Sequence, residues 1–293
     1  MKKIGLVGYG YWGRTLARCF NELGALKVIY ELDPNRRDIA QRDYLGIPIV
    51  SMLDADFSFP GDLDAIAVAT PPETHYDIAL QALKAGKDVF IEKPMTTNYR
   101  EALRLNDLAI ERNLNLMIGH IYLHNGGIKL MPIPVGKAEL YVQLLNEAGG
   151  PSPSTRDVLW AGLPHACSLA LHFFPDEPEF IWASRNEDRI RVKLNYWNGS
   201  SAYLDVGDNT GRRLRRVELR IGETRYLFNT KEPTLCIMFS GILGKEWKEN
   251  LPHAEPLMAE CMEFLNYKGV DPMGPKVVKL IEDIANECKP KGN

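Results

Sequence analysis

The first 120 residues alternate short, mostly apolar runs with longer polar or amphipathic segments. Runs of four or five such residues are typical of strands buried on both faces of a sheet. They lie at Ile4–Val7, Leu26–Tyr30, Ala65–Ala69, Asp88–Ile91 and Leu114–Ile118. The segments at 35–44, 73–85 and 99–112 are compatible with helices. Strands and helices in this order predict βαβ units and a parallel, doubly wound sheet.

A different pattern begins near residue 122. Apolar and polar residues alternate along several segments separated by short turns such as Asn198-Gly199, which predicts antiparallel strands. These strands are predicted at 138–145, 179–184, 190–197, 202–206, 217–221, 226–228 and 235–238, with helices at 163–174, 255–267 and 275–288. The sequence therefore predicts an α/β protein: a Rossmann domain at 1–121 and an α+β domain with a mostly antiparallel open sheet at 122–293.

The composition is that of an ordinary globular protein. Of 293 residues, 45% are hydrophobic and 25% are charged, and the formal net charge is −3. This length allows two domains with separate cores. The small net charge gives no reason to expect nucleic acid or an anionic membrane as a partner. The basic pairs Arg212-Arg213 and Arg215-Arg216 are interpreted as a solvated strand edge.

Cysteine usage and the apolar segments indicate the compartment. The 5 cysteines are scattered without a C-x-x-C pair, which favours reduced thiols over a disulfide framework or a zinc site. No segment has the apolar length of a signal peptide core or a membrane span. We therefore expect a cytoplasmic protein that binds no metal.

A glycine pattern, G-Y-G-Y-W-G, joins the first strand to the first helix. This order of strand, glycine turn and helix is the one that a dinucleotide fingerprint requires. Gly8 permits the tight turn, Gly10 lets a pyrophosphate approach the backbone, and Gly13 lets the helix pack closely on the strand. The amide groups at the helix start then face the phosphates.

Two carboxylates follow the second predicted strand. Glu31 ends that strand and Asp33 comes two residues later, where a carboxylate accepts hydrogen bonds from the adenosine ribose and repels a 2′-phosphate. The alternative is that both are loop charges. NAD is favoured over NADP as the cofactor, although Arg36 and Arg37 lie nearby and leave NADP open.

Candidate catalytic residues are expected where the strands end, because ligands of an open parallel sheet bind beyond the carboxyl ends of its strands. Lys93 follows Glu92 at the end of the fourth predicted strand, and Pro94 after it favours an extended backbone that presents the lysine at the strand mouth. An ammonium group there can hold a substrate hydroxyl and lower its pKa as a hydride leaves. The alternative is a surface lysine.

Histidine is the second candidate, because oxidation of an alcohol releases a proton and imidazole titrates near neutral pH. His165 lies in a turn that opens onto a predicted helix, and His172 is seven residues further on. A structural role is the simpler interpretation for His172, His75, His124 and His253.

Four segments carry a family resemblance. They are GYGYWG at Gly8–Gly13, ATPPETH at Ala69–His75, ALKAGKDVFIEKP at Ala82–Pro94 and IGH at Ile118–His120. With them the chain resembles the glucose–fructose oxidoreductase/inositol dehydrogenase (Gfo/Idh/MocA) family, closest to members acting on sugars or nucleotide sugars. The resemblance implies an NAD(P)-dependent oxidoreductase that transfers a hydride between nicotinamide and a hydroxyl-bearing carbon of a sugar, polyol or nucleotide sugar.

The same resemblance implies roles for individual residues. Its cofactor contacts are Gly8, Gly10, Tyr11, Trp12, Glu31, Asp33, Thr70, Pro71, His75, Glu92 and Lys93. Its substrate contacts are Lys93, His120, Tyr122, Asp157 and His165. Within these sets the catalytic pair is Lys93, which touches the reacting hydroxyl, and His165, which is the general base.

The chain departs from the family pattern around that histidine. Ala161 stands where a carboxylate is frequent four residues earlier, and Ala166 where an aspartate is common. An imidazole without a carboxylate loses orientation and a partner for its charged form. Asp157, Glu92 or His120 is a candidate replacement. The segment 126–150, expected to shape the sugar pocket, is compressed.

Two other functions stay open at this stage. A cofactor-binding regulator or sensor with a degenerate site is favoured by Ala161 and Ala166. Oxidation of a non-sugar substrate, such as a biliverdin-like or imine compound, is the other. In each case we expect a homodimer or homotetramer formed through the second sheet, one face of which helices need not cover.

Overall fold

The computed structural model describes residues 1–51, 59–147, 158–208, 210–211, 213–229, 234–239, 246–250 and 255–289. The chain forms two compact units. One comprises Met1–His120 and Leu257–Val278, and the other Ile121–Pro256 and Lys279–Asn293. The sequence-based boundary at 121 divides the chain once, whereas the structure returns residues 257–278 to the first unit.

The first unit is built on a parallel sheet. Its strands are β1 Ile4–Val7, β2 Leu26–Tyr30, β3 Ile49–Val50, β4 Ala65–Val68, β5 Asp88–Glu92 and β6 Leu116–Gly119. Its helices include α1 Tyr11–Glu22, α2 Pro34–Asp43, α3 His75–Lys84 and α4 Tyr99–Glu111. The strand order is β3-β2-β1-β4-β5-β6 with parallel neighbours, which confirms the predicted doubly wound Rossmann sheet.

Aromatic packing explains why a late segment joins this unit. Helix α8 spans Pro256–Asn266, and its Phe264 ring lies 6.4 Å from Phe20 on α1 and 5.5 Å from Phe90 on β5. Beyond it, the Leu116 N–H donates to the Gly269 carbonyl at 3.0 Å. Burying an aromatic side chain of this size contributes roughly 1.5–3 kcal/mol. The final helix, α9, spans Met273–Glu287.

The second unit contains a mixed sheet. Its strands are β7 Ala138–Leu145, β8 Phe180–Arg185, β9 Arg189–Asn195, β10 Ser201–Gly207, β11 Leu214–Ile221, β12 Thr224–Asn229, β13 Thr234–Phe239 and β14 Glu246–Asn250. Their order is β14-β13-β12-β11-β7-β10-β9-β8. Only the β7–β10 pair among these described strands is parallel, so the prediction of a mostly antiparallel sheet is confirmed. Strand β14 was not predicted.

The two faces of this sheet differ in chemistry. Leu140, Val142 and Leu204 lie on the inner face and are 0–1% exposed. On the outer face the rings of Tyr141 and Tyr203 stack at 4.7 Å. Short helices α5 Gly126–Lys129 and α6 Val158–Ala161 precede the longer helix α7 Leu163–Phe173, which contacts β7 and β10.

Two residues of the basic cluster, Arg215 and Arg216, lie within this sheet. Strand β11 pairs with β7 on one side and with β12 on the other, so Arg215 and Arg216 belong to an interior strand rather than a solvated edge. The sequence misled here because a run of arginines resembles an exposed edge, while strand order depends on distant segments.

Among the described residues, the search for a membrane-crossing helix found none with the required length and apolar character.

Candidate active site

The glycine turn has the geometry that a dinucleotide fold needs. Gly8 has φ +94°, and a Cβ there would lie 2.7 Å from the Ala69 carbonyl oxygen. A Cβ on Gly13 would lie 2.1 Å from the Gly8 carbonyl oxygen, so α1 packs on the turn only with glycine at that position. Both positions therefore exclude a side chain, as the sequence predicts.

The start of α1 suits a phosphate. Gly10 caps the helix without a side-chain hydrogen bond, and the first turn carries no acidic residue. The first-turn amides and the helix dipole therefore favour an anion in front of the turn. A cavity of about 430 Å³ opens there, lined among others by Gly10, Arg14 and Arg36. These residues fit the pyrophosphate of a dinucleotide.

The Glu31 carboxylate is already held by backbone amides. Its Oε2 accepts the Tyr9 N–H at 2.6 Å and its Oε1 accepts the Asp33 N–H at 2.9 Å. The side chain is only 7% exposed. Asp33 in turn caps α2 by accepting the Asn35 N–H at 2.8 Å. Glu31 thus ties the glycine turn to the end of β2, with its remaining lone pairs available to a ribose.

The end of β5 is tied to the same turn. Glu92 accepts a hydrogen bond from the Trp12 indole N–H, and its Oε2 accepts the Lys93 backbone N–H at 3.2 Å. Burial raises the pKa of Glu92 to about 7, while the Trp12 hydrogen bond and the Lys93 charge oppose that rise. Burial also raises the pKa of nearby Glu260 on α8, with the Glu92 charge adding to the effect. Lys93, joined to Pro94 by a cis peptide bond, follows directly on this buried acid.

His75 brackets the turns after β4 and β5. Its ring nitrogens lie 2.8 Å from the Thr70 carbonyl oxygen and 2.8 Å from the Pro94 carbonyl oxygen, and the side chain is 1% exposed. Burial is the main cause that lowers its pKa. A neutral imidazole has one N–H, so it donates to one of these two carbonyl oxygens, and the tautomer decides which. Any effect of His75 on a cofactor passes through the position of the Thr70-Pro71 and Lys93-Pro94 turns.

His120 leaves the sheet next to Lys93. Glu92 and Gly119 are register partners in β5 and β6, so the residues that follow them emerge side by side. His120 is 2% exposed, and neither ring nitrogen has a hydrogen-bond partner among the described residues. Burial, assisted by the Lys93 charge, lowers its pKa to about 4. The imidazole is therefore neutral at physiological pH, with one donor and one acceptor.

His165 lies in the first turn of α7 in the second unit. Its ring centroid is 5.0 Å from that of Tyr122, with the planes at 60°. Burial raises the pKa of the Tyr122 hydroxyl, while a hydrogen bond and the charge from Arg215, and the charge of Arg213, act to lower it. The next residue is Ala166, which is buried and whose methyl side chain carries no carboxylate.

The remaining predicted residues are less informative. Asp157 and His253 lie outside the described residues. His172 packs against the ring of Phe173 at 4.9 Å, and burial lowers its pKa. Over the described part of the chain, no group of three or more His, Cys, Asp or Glu side chains is arranged to hold a metal ion.

Two residues near these groups were missed from the sequence. Glu260 belongs to an amphipathic helix far along the chain, and nothing local signals that it lies beside Glu92. The sequence predicts that Arg215 is a charge on a solvated strand edge, and only its place on an interior strand corrects this.

The strand order, the glycine turn and the titratable side chains at the ends of β5 and β6 define a dinucleotide-dependent Rossmann enzyme. A family model described as an oxidoreductase family with the NAD-binding Rossmann fold, Gfo/Idh/MocA, matches residues 2–120. A UDP-N-acetylglucosamine 3-dehydrogenase from Acidithiobacillus ferrooxidans is 33% identical over 280 residues, which cover 90% of this chain and 88% of that protein. The chain belongs to this family. It is an NAD(P)-dependent oxidoreductase, and its resemblance to the family is confirmed.

Other similarities cover less sequence or show the fold alone. An uncharacterized oxidoreductase from Streptococcus pneumoniae is 34% identical over 128 residues, covering 44% of this chain and 34% of that protein. A crystal form of the Acidithiobacillus enzyme superposes with TM-score 0.86 at 24% identity, over 98% of this chain and 97% of that one. A levoglucosan dehydrogenase in complex with NADH and L-sorbose gives TM-score 0.84 at 16% identity, over 98% and 96%.

Proposed function

We propose that this protein is an NAD-dependent dehydrogenase that oxidises a hydroxyl-bearing carbon of a sugar, polyol or nucleotide sugar. The observation that carries the proposal is the position of Lys93. Lys93 follows the carboxyl end of β5. It comes directly after Glu92, a buried acid that is hydrogen-bonded to the glycine turn. The relative that aligns with 90% of the chain is named for dehydrogenation of a nucleotide sugar, which supports this substrate class.

Each candidate residue has a chemical task in this proposal. Bound NAD supplies the hydride acceptor at nicotinamide C4. The Lys93 ammonium donates a hydrogen bond to the reacting hydroxyl oxygen and lowers the pKa of that hydroxyl. His165 takes the hydroxyl proton as general base. His120 offers a ring nitrogen to a second substrate hydroxyl, since its neutral imidazole has both nitrogens available among the described residues.

Tyr122 is the group that orients His165. The residues at the two family positions are alanines, Ala161 and Ala166. The Tyr122 ring lies against the imidazole and limits its rotation. The ring therefore orients the imidazole by packing, whereas a carboxylate at either position would accept its N–H.

NAD is the proposed cofactor, with NADP as a weaker one. The Glu31 carboxylate at the end of β2 disfavours a 2′-phosphate. Arg36, whose Nη1 lies 3.6 Å from the position of a Cβ on Gly10, offers a charge to that phosphate. However, Arg36 is partnered by Asp33 at 3.6 Å. A lower KM for NAD than for NADP tests this preference.

The competing function is a dinucleotide-binding regulator or sensor, favoured by the two alanines. Calorimetry with NAD and a 340 nm assay with UDP-N-acetylglucosamine, inositols and simple sugars separate the two. Reduction of NAD by one of these substrates supports the dehydrogenase. Tight NAD binding without turnover of any of them supports the sensor.

Cytoplasmic location and assembly into a homodimer or homotetramer complete the proposal. The outer face of the second sheet presents the Tyr141–Tyr203 stack beside charged side chains such as Arg220 and Glu218. This mixed face suits a polar interface between copies. Sedimentation of the purified protein tests it.

A further inference from the structure

Arg215 carries a positive charge on the inner face of the second unit's sheet. It is the register partner of Leu144, and its neighbours on that face, Val217 and Leu219, are 1% and 0% exposed. A charged side chain among buried apolar residues costs free energy unless partners compensate for the lost water. Arg215 is itself partly exposed, so partners must compensate for the part of its side chain that is withdrawn from water.

The protein supplies Arg215 with uncharged acceptors. Its Nη1 donates to the Leu145 carbonyl oxygen at 2.7 Å, and its Nη2 donates to Asn146 Oδ1. The guanidinium also hydrogen-bonds the Tyr122 hydroxyl. Within the part of the chain that the structure describes, no carboxylate forms an ion pair with Arg215 or with Arg213. Its hydrogen bonds are satisfied in part, and among the described residues no carboxylate neutralises its charge.

Arginines on the opposite face of the same sheet form ion pairs with carboxylates. Arg216, next in sequence, lies 2.6 Å from a Glu218 oxygen, and Arg220 lies 2.6 Å from the other. Arg189 on β9 pairs with Asp205 at 2.5 Å. Carboxylates thus neutralise these outer-face arginines, whereas Arg215 on the inner face has no carboxylate partner in the part of the chain that the structure describes.

Tyr122 connects this charge to the candidate base. Its ring contacts His165, and its hydroxyl contacts Arg215. The charge of Arg213 also acts on the same hydroxyl. A ligand group that reaches the Tyr122 hydroxyl therefore meets the Arg215 guanidinium, and the charge of Arg213 also acts there; neither arginine has a carboxylate partner among the described residues.

We propose that Arg215, with Arg213 and Tyr122, binds an anionic group of the substrate. The substrate is then an acidic or phosphorylated sugar, nucleotide sugars included. This inference rests on the proposed function, because it assigns the group to the substrate that His165 deprotonates. The planar guanidinium fork matches the oxygens of a carboxylate or a phosphoryl group, and such charge-assisted pairs are stronger than neutral hydrogen bonds.

The test is calorimetric binding to the NAD-loaded protein. The probes are N-acetylglucosamine 1-phosphate and UDP-N-acetylglucosamine for a phosphoryl group, glucuronic acid for a carboxylate, and uncharged N-acetylglucosamine as reference. We expect an anionic probe to bind at least tenfold more tightly than the reference, with an affinity that falls as salt is added. The probe preferred identifies which anionic group the site takes.

Variants assign the effect to the arginine. Arg215→Gln lowers the affinity for the preferred anionic probe by roughly 10- to 100-fold. It leaves the affinity for uncharged N-acetylglucosamine within about twofold of the wild type. Arg215→Lys keeps the charge and gives an intermediate loss. The matched control, Arg216→Gln, removes the adjacent arginine on the other face and leaves both affinities within about twofold.

Three results overturn the inference: no anionic probe binds better than the reference, Arg215→Gln weakens all probes alike, or Arg216→Gln has the same effect. If Arg215→Gln does not fold, the wild-type selectivity and the Arg215→Lys variant decide. Because the readout is binding, it stands apart from turnover. Arg215-dependent anion binding without NAD reduction keeps this inference and refutes the dehydrogenase.

Discussion

The Trp12 indole N–H donates a hydrogen bond to the Glu92 carboxylate, across 80 residues of sequence. Trp12 belongs to the glycine turn and Glu92 immediately precedes Lys93. The hydrogen bond therefore joins the segment proposed to hold the pyrophosphate to the segment proposed to hold the reacting hydroxyl. A carboxylate that is 6% exposed has few other ways to satisfy its oxygens.

Replacing Trp12 with phenylalanine removes only the indole donor and part of the ring volume. We expect the free energy of unfolding to fall by about 1–3 kcal/mol, because the buried Glu92 oxygen loses its partner. We also expect weaker NAD binding, since the glycine turn loses its tether to β5. Urea denaturation and calorimetry measure the two effects. Trp197→Phe, at a residue that is 81% exposed, is the control and should change stability by less than about 0.5 kcal/mol.

The pH dependence of stability reports on Glu92. Its pKa is raised from 4.5 to about 7 in the folded protein, mainly by burial. A group whose pKa is higher in the folded than in the unfolded protein contributes fully to stability below its unfolded-state pKa. That contribution is lost as the pH rises through its folded-state pKa. Glu92→Gln keeps the side chain neutral. We therefore expect the variant and the wild type to be similar at about pH 4 to 5, and the variant to gain relative stability from about pH 5 to 7, on the order of 2–3 kcal/mol.

Urea denaturation across that pH range measures the difference. The loss of the Glu92 charge also lowers the raised pKa of Glu260, which adds to the stability that the variant gains as the pH rises. A stability difference that does not vary with pH would contradict the raised pKa.

The two buried histidines of the first unit should respond oppositely to leucine. His75→Leu removes the imidazole N–H that one of the Thr70 and Pro94 carbonyl oxygens accepts, and we expect a loss of about 1–3 kcal/mol. His120→Leu removes two ring nitrogens that lack partners among the described residues, and we expect no loss or a gain of about 1 kcal/mol. The same His120 variant should raise the KM for the sugar.

Thermal and urea unfolding of both variants, with steady-state kinetics, checks this contrast. Equal destabilisation by the two substitutions would mean that His120 is a structural residue. A gain in stability joined to a loss of substrate affinity is the signature of a side chain kept for binding.

Much of this fold follows from local pattern. The apolar runs predict the strands of the Rossmann sheet, because each strand is buried on both faces and reads as a short apolar segment. The glycine spacing predicts the turn, because a Cβ at Gly8 or Gly13 collides with backbone. These features depend on neighbours in sequence, and sequence reasoning reaches them.

Features that depend on distant pairing were not accessible in this way. Phe264 packs on Phe20 and Phe90, which places α8 in the first unit, although its own sequence shows only an amphipathic helix. Arg215 and Arg216 are adjacent in sequence and alike in chemistry, yet the alternation of β11 sends one to the apolar face and the other to Glu218. Which face is buried is decided by the neighbouring strands.

The central claim is that Lys93 and His165 act on the same hydroxyl of a substrate while the glycine turn holds NAD. The most direct measurement is kcat/KM for NAD reduction, with the substrate found in the panel assay, for Lys93→Ala, His165→Ala and the double variant. Lys84→Ala and His172→Ala serve as controls.

We expect kcat/KM to fall by ~10²–10⁴ for each single variant. The double variant should have a kcat/KM no more than about tenfold below that of the less active single variant, because the effects of residues that act as a unit are not additive. The two controls stay within about twofold of the wild type. Turnover that survives both substitutions within about threefold would contradict the account.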